Sequence, residues 1–417
     1  MVHARVVLVP LLSVIIVVLL FAGGSRAQDA VIIGDVPLPE DIMISAPEEW
    51  AFAGAWVGRW SNGRNHILVV EGIGEDGFAD VVYAVGRDQN GGGNWFRGKA
   101  RIEDDALVFG DDVFGVRYSI SDTGRMRGVL NENERFAILE RQEISALMSS
   151  SSPDDLFLIG DLETLQTGLI EDGERVDLVV VMYRPRGQGP FPLALVHHGS
   201  TGTGTRPYAF DEVWKNDWLA DVLNEHGWIV AFPQRRGRGG SGGLYDEGFA
   251  EDRSQGYSPE ADLSLPGAHR ALVDANAALA ALRERPDVGP DGVLLSGMSR
   301  GGVVAIMQAG HNPEEFAGVI NFVGGWVSEG WGDASINPTL FRRIGSFRGP
   351  VLSIYGEEDP FYSVEHSRSN VMEMEALGTK SQLHVIKLPG YGNGHWVLTM
   401  PNLWEEVVGE FLKALED

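Results

Sequence analysis

The chain has 417 residues, of which 44% are hydrophobic and 22% are charged, and this composition favours a folded protein with more than one domain. The formal net charge is -26, so nucleic acid and anionic membrane surfaces are poor partners for it. The sequence contains no cysteine, which excludes disulfides, thiolate metal sites and a cysteine nucleophile.

The N-terminal 27 residues have the pattern of a secretory signal peptide. Arg5 precedes an apolar stretch over residues 6–21, and a small-x-small sequence at residues 25–27 provides a cleavage site before Gln28. We therefore expect a mature protein that is secreted or periplasmic. The apolar stretch is long for a signal peptide, so an uncleaved membrane anchor stays open, and stable membrane association is expected only in that case.

The region between the signal peptide and residue 155 predicts a small β domain flanked by linkers. Residues 28–49 are proline-rich without a clear period, and residues 148–155 are rich in serine, so both predict linkers. Residues 50–147 contain short strand-like runs separated by turn sequences, which predicts an antiparallel β barrel or sandwich. The first run, at residues 54–60, resembles the opening strand of a lipocalin-like barrel. Its two tryptophans are expected either to wall a ligand cavity or to fill the core.

Residues 156–417 have a different period, in which apolar strands alternate with helices. This alternation predicts an α/β fold with a mostly parallel sheet that is covered by helices on both faces. Ligands of such sheets bind beyond the carboxyl ends of the strands. The predicted strands are 176–183, 192–198, 227–232, 292–296, 318–323, 351–355 and 382–388, and the predicted helices are 211–226, 261–285, 300–311, 365–377 and 402–415.

Ser299 is the centre of a Gly-x-Ser-x-Gly motif between a predicted strand and a predicted helix. This is the context of a nucleophile elbow, a sharp turn that needs glycines because its serine adopts a strained backbone. The turn directs the Arg300 backbone N–H and the helix N-terminus toward the position of an oxyanion. A second match to the motif is centred on Ser241, but no predicted strand precedes it and no predicted helix follows it. Ser299 is therefore the predicted nucleophile.

With this motif in this context, residues from about 155 to 417 resemble the α/β-hydrolase superfamily, in particular its dienelactone-hydrolase-like and prolyl-oligopeptidase-like members. The resemblance implies a triad in the order serine, acid, histidine. It implies Asp359 as the acid, directly after a predicted strand, with the adjacent Glu357 and Glu358 as alternatives. It implies His395 as the base, on the loop after the last predicted strand.

The same resemblance implies an oxyanion hole made of backbone amides. One donor is the N–H of Arg300, and the other belongs to Gly199 or Ser200, in the loop after a predicted strand. Because the contribution is made by the backbone, His198 is expected to orient that loop rather than to react.

Two further features leave their roles open. The arginine- and glycine-rich segment 235–243 resembles a turn after the fourth strand of these families, and it is either a structural loop or an anion nest for a substrate carboxylate or phosphate. Trp326, Trp331 and Trp396 either wall an acyl or aromatic pocket or pack in the ordinary way. Few residues separate the predicted strand 318–323 from Pro350, which predicts an open site without a large lid.

These residues predict a secreted, carboxylesterase-like serine hydrolase that cleaves a small-molecule ester through an acyl-enzyme, with Ser299, Asp359 and His395 as its triad. No metal or organic cofactor is implied. One alternative is a serine peptidase or amidase of the prolyl-oligopeptidase type, which uses the same triad order. The other is a non-catalytic protein whose β domain binds a ligand.

Overall fold

The computed structural model describes residues 30–61, 63–87, 91–103, 105–110, 115–121, 124–130, 135–149, 160–333, 335–388 and 393–416. The predicted signal peptide and most of the predicted linker 148–155 lie outside these residues. Among the described residues, no helix is long and apolar enough to span a bilayer.

The first described residues form a β hairpin, which corrects the prediction of a linker over residues 28–49. Strand β1 (Ala30–Ile33) pairs antiparallel with β2 (Val36–Pro39). Ile33, Val36 and Leu38 are buried against the outward-facing side chains of the neighbouring barrel. Prolines within β2 obscured the strand in the sequence, but they are tolerated because a two-stranded sheet leaves backbone positions that donate to no partner.

Eight antiparallel strands then close into a barrel, which confirms the predicted β domain. Trp56 and Trp60 point into the barrel and are 1% and 4% exposed, so the tryptophans of the opening strand pack in its core. A short helix, α1 (Ile144–Ser149), follows the last strand. The strands are β3 (Gly54–Trp60), β4 (Asn65–Ile73), β5 (Phe78–Val85), β6 (Asn94–Glu103), β7 (Ala106–Gly110), β8 (Gly115–Ile120), β9 (Met126–Leu130) and β10 (Arg135–Gln142).

The second unit is built on an eight-stranded mixed sheet in the order β11-β12-β14-β13-β15-β16-β17-β18. The two strands β11 and β12 are antiparallel to their neighbours, and all pairs from β14 to β18 are parallel, as predicted. The strands are β11 (Asp161–Glu171), β12 (Glu174–Tyr183), β13 (Leu193–His197), β14 (Ile229–Pro233), β15 (Val293–Met298), β16 (Phe316–Phe322), β17 (Pro350–Gly356) and β18 (Lys380–Ile386).

Helices cover both faces of this sheet because successive residues of its strands point to opposite faces. Leu193 and Leu195 of β13 join one apolar core, whereas Ala194 and Val196 join the other. Helices α3 (Ala261–Arg283), α4 (Arg300–His311), α5 (Ile336–Phe341) and α6 (Val364–Ala376) pack in the first core, and α2 (Asp217–Glu225) and α7 (Glu405–Glu416) pack against the second.

The barrel docks on helix α2 through an apolar contact and a cluster of charges. Phe136 of β10 packs against Trp218 of α2 with their ring centroids 5.5 Å apart. Beside them Arg125 is nearly buried and contacts Asp221 at 2.6 Å and Glu225 at 3.2 Å. Burial and the neighbouring carboxylates raise the pKa of Asp221 to about 6, although the Arg125 guanidinium opposes this shift.

Replacing Arg125 with methionine is expected to destabilise this interface strongly, because it leaves Asp221 and Glu225, whose side chains are each only 17% exposed, without their cation. Breaking a buried ion pair by removing one partner costs about 3–5 kcal/mol. Urea unfolding followed by tryptophan fluorescence should therefore show a large loss at pH 7.5. This loss of stability should shrink toward pH 5. The pKa of Asp221 in the folded protein is raised to about 6, so Asp221 is protonated there and no longer needs a cation, whereas the carboxyl group of the unfolded chain is still ionised.

Arg186→Ala is the matched control for this prediction. Arg186 also pairs with a carboxylate across the two units, contacting Glu140 at 2.7 Å, but its side chain is 64% exposed. Exposed pairs contribute about 0–1 kcal/mol. Equal unfolding curves for Arg125→Met and Arg186→Ala would contradict the assigned role of Arg125.

Candidate active site

Ser299 occupies a strained turn between β15 and α4, as predicted for a nucleophile elbow. Its backbone dihedrals are φ 55° and ψ -122°, which few side-chain-bearing residues adopt. The neighbouring glycines are required by close packing. A Cβ at Gly301 would lie 2.0 Å from the carbonyl oxygen of His197, and a Cβ at Gly297 would lie 2.3 Å from the backbone of Gly301.

Asp359 and His395 form a hydrogen-bonded pair at the carboxyl end of the sheet. His395 Nδ1 donates to Asp359 Oδ2 at 2.8 Å. The other carboxylate oxygen, Oδ1, accepts the backbone N–H groups of Phe361 at 2.8 Å and Tyr362 at 3.2 Å. The carboxylate is therefore held from both sides, and it keeps the proton on Nδ1 so that Nε2 has a free lone pair.

Glycines bring the histidine loop onto the end of β17. A Cβ at Gly356 would lie 2.3 Å from the carbonyl oxygen of Gly394, and a Cβ at Gly394 would lie 2.3 Å from that of Glu357. The side chain of Asn393 accepts the backbone N–H of His395 at 3.1 Å and begins a short 3-10 helix. This close packing fixes His395 beside Asp359.

Tyr362 lies beside the serine and this pair, and no sequence motif had indicated it. Its phenol interacts with Ser299, and its ring centroid is 5.8 Å from that of His395. Burial raises the pKa of Tyr362 well above its ordinary value, so it is a neutral hydroxyl. Phe361 covers another side of His395 at 4.7 Å between centroids. Within the described residues Ser299 has no direct hydrogen bond to His395, and such bonds often tighten only when substrate binds.

The alternative acids considered from the sequence are not brought to this site. Glu357 and Glu358 are exposed, and Asp359 is the carboxylate that meets His395.

Three backbone amides lie free near the serine. In the described part of the chain, the N–H groups of Gly199, Ser200 and Arg300 have no hydrogen-bond acceptor. Gly199 is close to the elbow, since a Cβ there would lie 3.3 Å from Ser299 Cβ and 3.1 Å from the carbonyl oxygen of Met298. Arg300 is the first residue of α4, where the positive end of the helix dipole is found. These amides can stabilise an oxyanion on a group bound to Ser299.

The three predicted pocket tryptophans lie in different surroundings. Trp326 is 2% exposed and packs 4.6 Å below the guanidinium of Arg300, which corrects the prediction that it lines a substrate pocket. Trp331 is 44% exposed on the loop after β16. Trp396 is 51% exposed with its ring centroid 6.3 Å from that of His395, so it alone of the three has its ring against the Asp359–His395 pair.

A pocket of about 280 Å³ is lined in part by Gly204 and Thr205, which follow the Gly199 loop in the chain. Phe210 and Phe249 form an aromatic wall in it, and Arg253 lies over the Phe249 ring at 4.1 Å. Gly204 links this pocket to the loop, and a Cβ there would be 3.0 Å from Phe249. The sequence did not indicate this pocket, because its walls come from residues that are distant in the chain.

Ser241, the centre of the second Gly-x-Ser-x-Gly match, has a structural role. Its hydroxyl donates to the carbonyl of Gln234 at 2.6 Å and accepts the N–H of Val179 at 2.8 Å. The bond to Val179 ties the arginine-rich turn to strand β12, and the bond to Gln234 ties it to the end of β14. No base lies against this hydroxyl in the described residues.

Comparison with known proteins finds esterases among the sequences and structures that are similar to this chain. Over 187 residues the chain is 29% identical to a protein of Nocardia uniformis subsp. tsuyamanensis described as an esterase, NocK, and the match covers 45% of each sequence. The chain thus spans about half the length of this curated relative. Among solved structures, esterase Pf2001 of Pyrococcus furiosus aligns with a TM-score of 0.43 and 17% identity, covering 64% of this chain and 94% of that one. Est1E of Butyrivibrio proteoclasticus aligns with 0.39 and 13%, covering 61% and 97%.

The comparison with family models identifies the larger unit. A model of the dienelactone hydrolase family matches residues 182–395, from the end of β12 to the histidine of the Asp359–His395 pair. The match takes in β13, the elbow and β17, which carry the loops described above. Since it spans just over half of the chain, the protein belongs to the dienelactone hydrolase family and has the α/β-hydrolase fold.

Proposed function

We propose that this protein is a secreted serine hydrolase that cleaves a small carboxylic ester through an acyl-enzyme on Ser299. The observation that carries the proposal is the Asp359–His395 hydrogen bond, at 2.8 Å, next to a serine held in a strained elbow. Export is supported by the signal-peptide pattern of residues 1–27. N-terminal sequencing of the exported protein should begin at Gln28.

In the first half of the reaction, Ser299 Oγ attacks the ester carbonyl carbon while its proton passes to His395 Nε2. The carbonyl oxygen becomes an oxyanion that accepts hydrogen bonds from the free amides at Arg300 and Gly199 or Ser200. When the tetrahedral intermediate collapses, the bond to the alcohol oxygen breaks and His395 returns the proton to that oxygen. The products are the free alcohol and an acyl group on Ser299.

In the second half, water replaces the alcohol. His395 Nε2 takes a proton from the water, whose oxygen attacks the acyl carbon, and the same amides stabilise the second oxyanion. Ser299 leaves with the proton from His395, which releases the carboxylic acid. Asp359 stays ionised throughout and stabilises the imidazolium that forms twice in each cycle.

The exposed surroundings of the serine favour a substrate that is small or that extends into solvent. Trp396 is half exposed, and its ring centroid is 6.3 Å from that of His395. Apolar walls with a few polar groups are typical of sites for small organic molecules. We assign the acyl or alcohol group of the ester to the exposed rings of Phe361 and Trp396, which flank His395.

The test is a burst experiment with p-nitrophenyl acetate, butyrate and octanoate. We expect a rapid release of one p-nitrophenol per active site followed by slower turnover, because acylation precedes deacylation. Mass spectrometry after treatment with a fluorophosphonate should find one adduct, on the peptide that contains Ser299. The corresponding p-nitroanilides of amino acids, measured in parallel, distinguish an esterase from an amidase or peptidase.

Two outcomes would overturn the proposal. A folded protein without burst, turnover or fluorophosphonate adduct is not a serine hydrolase. An adduct on Ser241 instead of Ser299 would place the nucleophile in the arginine-rich turn.

A further inference from the structure

The arginine-rich segment 235–243 lies directly against the amide loop that follows β13. The side chains of Arg235 and Arg238 are buried, with 2% and 4% of their surface exposed. Arg235 pairs with Glu247, and within the described residues Arg238 contacts no carboxylate. Burying a guanidinium is costly unless its hydrogen bonds are used, so what these two side chains bind is informative.

Both guanidinium groups donate to backbone carbonyls of the amide loop. Arg235 Nη2 donates to the carbonyl of His198 at 2.9 Å, and Arg238 Nη1 donates to the carbonyl of Gly199 at 2.7 Å. In a trans peptide the C=O and the following N–H point in opposite directions. Holding these two carbonyls therefore fixes the directions of the N–H groups of Gly199 and Ser200, the two candidate oxyanion donors.

His198 completes the arrangement as a neutral ring. The backbone N–H of Arg235 donates to His198 Nε2 at 3.1 Å, and Arg238 Nη1 and Arg235 Nη2 lie 2.6 Å and 3.0 Å from His198 Nδ1. Burial and the charges of Arg235 and Arg238 hold the pKa of His198 well below its usual value. The ring is therefore held between both arginines, with Nδ1 2.8 Å from the carbonyl of Gly199 that Arg238 also contacts.

The glycines of the segment allow both arginines to turn back on the loop. Gly237 has φ +68°, and a Cβ there would lie 2.0 Å from the backbone nitrogen of Tyr245. The carbonyl of Arg235 accepts the N–H of Arg238 at 3.0 Å, which closes the turn between them. Arg236 points elsewhere and binds Asp274 of helix α3 through two hydrogen bonds.

We propose that Arg235 and Arg238 are positioning residues that set the oxyanion hole, by holding the carbonyls of His198 and Gly199 so that the amides of Gly199 and Ser200 face Ser299. This inference rests on the proposed function. In this proposal the segment raises the rate of catalysis by positioning the oxyanion hole, and it does not bind an anionic group of the substrate. Charge-assisted bonds to a carbonyl also polarise its peptide group, which strengthens the N–H as a donor.

The experiment compares Arg238→Met with Arg236→Met. Both remove a buried guanidinium from the same turn, but only Arg238 contacts the amide loop. Active sites are counted with a fluorophosphonate, so that any unfolded fraction is excluded. We expect Arg238→Met to lower kcat for p-nitrophenyl butyrate by about 10- to 100-fold, since losing a whole donor costs about 100-fold or more, with little change in KM. Arg236→Met should retain its kcat per titrated site even if it unfolds more easily.

A trifluoromethyl ketone provides a readout that a purely structural role would not move. Ser299 adds to its carbonyl carbon, the serine proton passes to His395, and the resulting oxyanion occupies the hole. For Arg238→Met the Ki of this inhibitor should rise by the same factor as kcat/KM falls. Arg238→Lys, which keeps one donor, should recover part of the loss.

The possible outcomes separate this inference from the proposed function. If wild-type protein forms an acyl-enzyme but Arg238→Met keeps both its kcat per site and its Ki, the positioning role is wrong and the esterase remains. A larger effect on KM than on kcat would instead assign Arg238 to substrate binding. If wild-type protein forms no acyl-enzyme, both proposals fail.

Discussion

Replacing Ser299 with alanine is expected to lower kcat for ester hydrolysis by on the order of 10⁴-fold or more, because no other hydroxyl lies at the elbow to accept the acyl group. The fold should survive the change. Alanine and serine meet the same backbone restriction at φ 55°, and among the described residues the Ser299 side chain donates no hydrogen bond that supports the sheet. Circular dichroism and the thermal midpoint should therefore match those of wild-type protein.

The control for this prediction is Ser241→Ala. Ser241 is the second serine with a glycine on each side at the same spacing, but its hydroxyl is used by Gln234 and Val179. Its loss should lower stability by about 1–3 kcal/mol, because buried groups lose their partner. The folded fraction should still acquire one fluorophosphonate, on Ser299. Residual burst kinetics in Ser299→Ala would show that the acyl group is carried elsewhere.

Local sequence was sufficient to predict the elbow but not everything around it. The glycines at 297 and 301 are sequence neighbours of Ser299, and the strain they relieve arises within a few residues. The Gly-x-Ser-x-Gly motif therefore contains, within five residues, all the information needed to predict the elbow. The assignment of Asp359 and His395 needed chain order and the family resemblance, because nothing local shows that residues 36 positions apart will meet at 2.8 Å.

The predictions that needed correction depend on packing between distant segments. The pattern of residues 28–49 lacks a clear period, and the burial of Ile33, Val36 and Leu38 becomes evident only when the barrel is present to cover them. Trp326 follows a strand at the correct edge of the sheet, yet it packs below Arg300 rather than facing solvent. A tryptophan pattern does not indicate which side of a loop its ring will occupy.

The arginine-rich segment illustrates the same limit in the site itself. From sequence it was either a structural loop or an anion nest, since arginine and glycine suit both. The structure shows that its guanidinium groups are used by the carbonyls of His198 and Gly199, 37 or more positions earlier in the chain. Tyr362 is a similar case, because its contact with Ser299 depends on how the Asp359 turn lies against the elbow.

Asp359→Asn is expected to lower kcat by on the order of 10⁴-fold, although the new side chain has the same size and shape as the old one. The reason lies in the two backbone amides of Phe361 and Tyr362, which donate to Oδ1. They will hold the amide oxygen of asparagine at that position and direct its NH₂ group to His395. An NH₂ group donates to Nδ1, so the ring proton moves to Nε2, and the imidazole can then no longer accept the proton of Ser299.

Glu358→Gln is the matched control, since it removes a carboxylate from the adjacent position of the same turn. Glu358 is exposed and does not contact His395 in the described structure, so its kcat/KM should stay within about twofold of wild type, as for most surface substitutions. Steady-state kinetics on p-nitrophenyl butyrate over pH 6 to 9 measures both variants. A large loss in Glu358→Gln with little loss in Asp359→Asn would reverse the assignment of the acid. Equal, small losses would mean that His395 is oriented without a carboxylate.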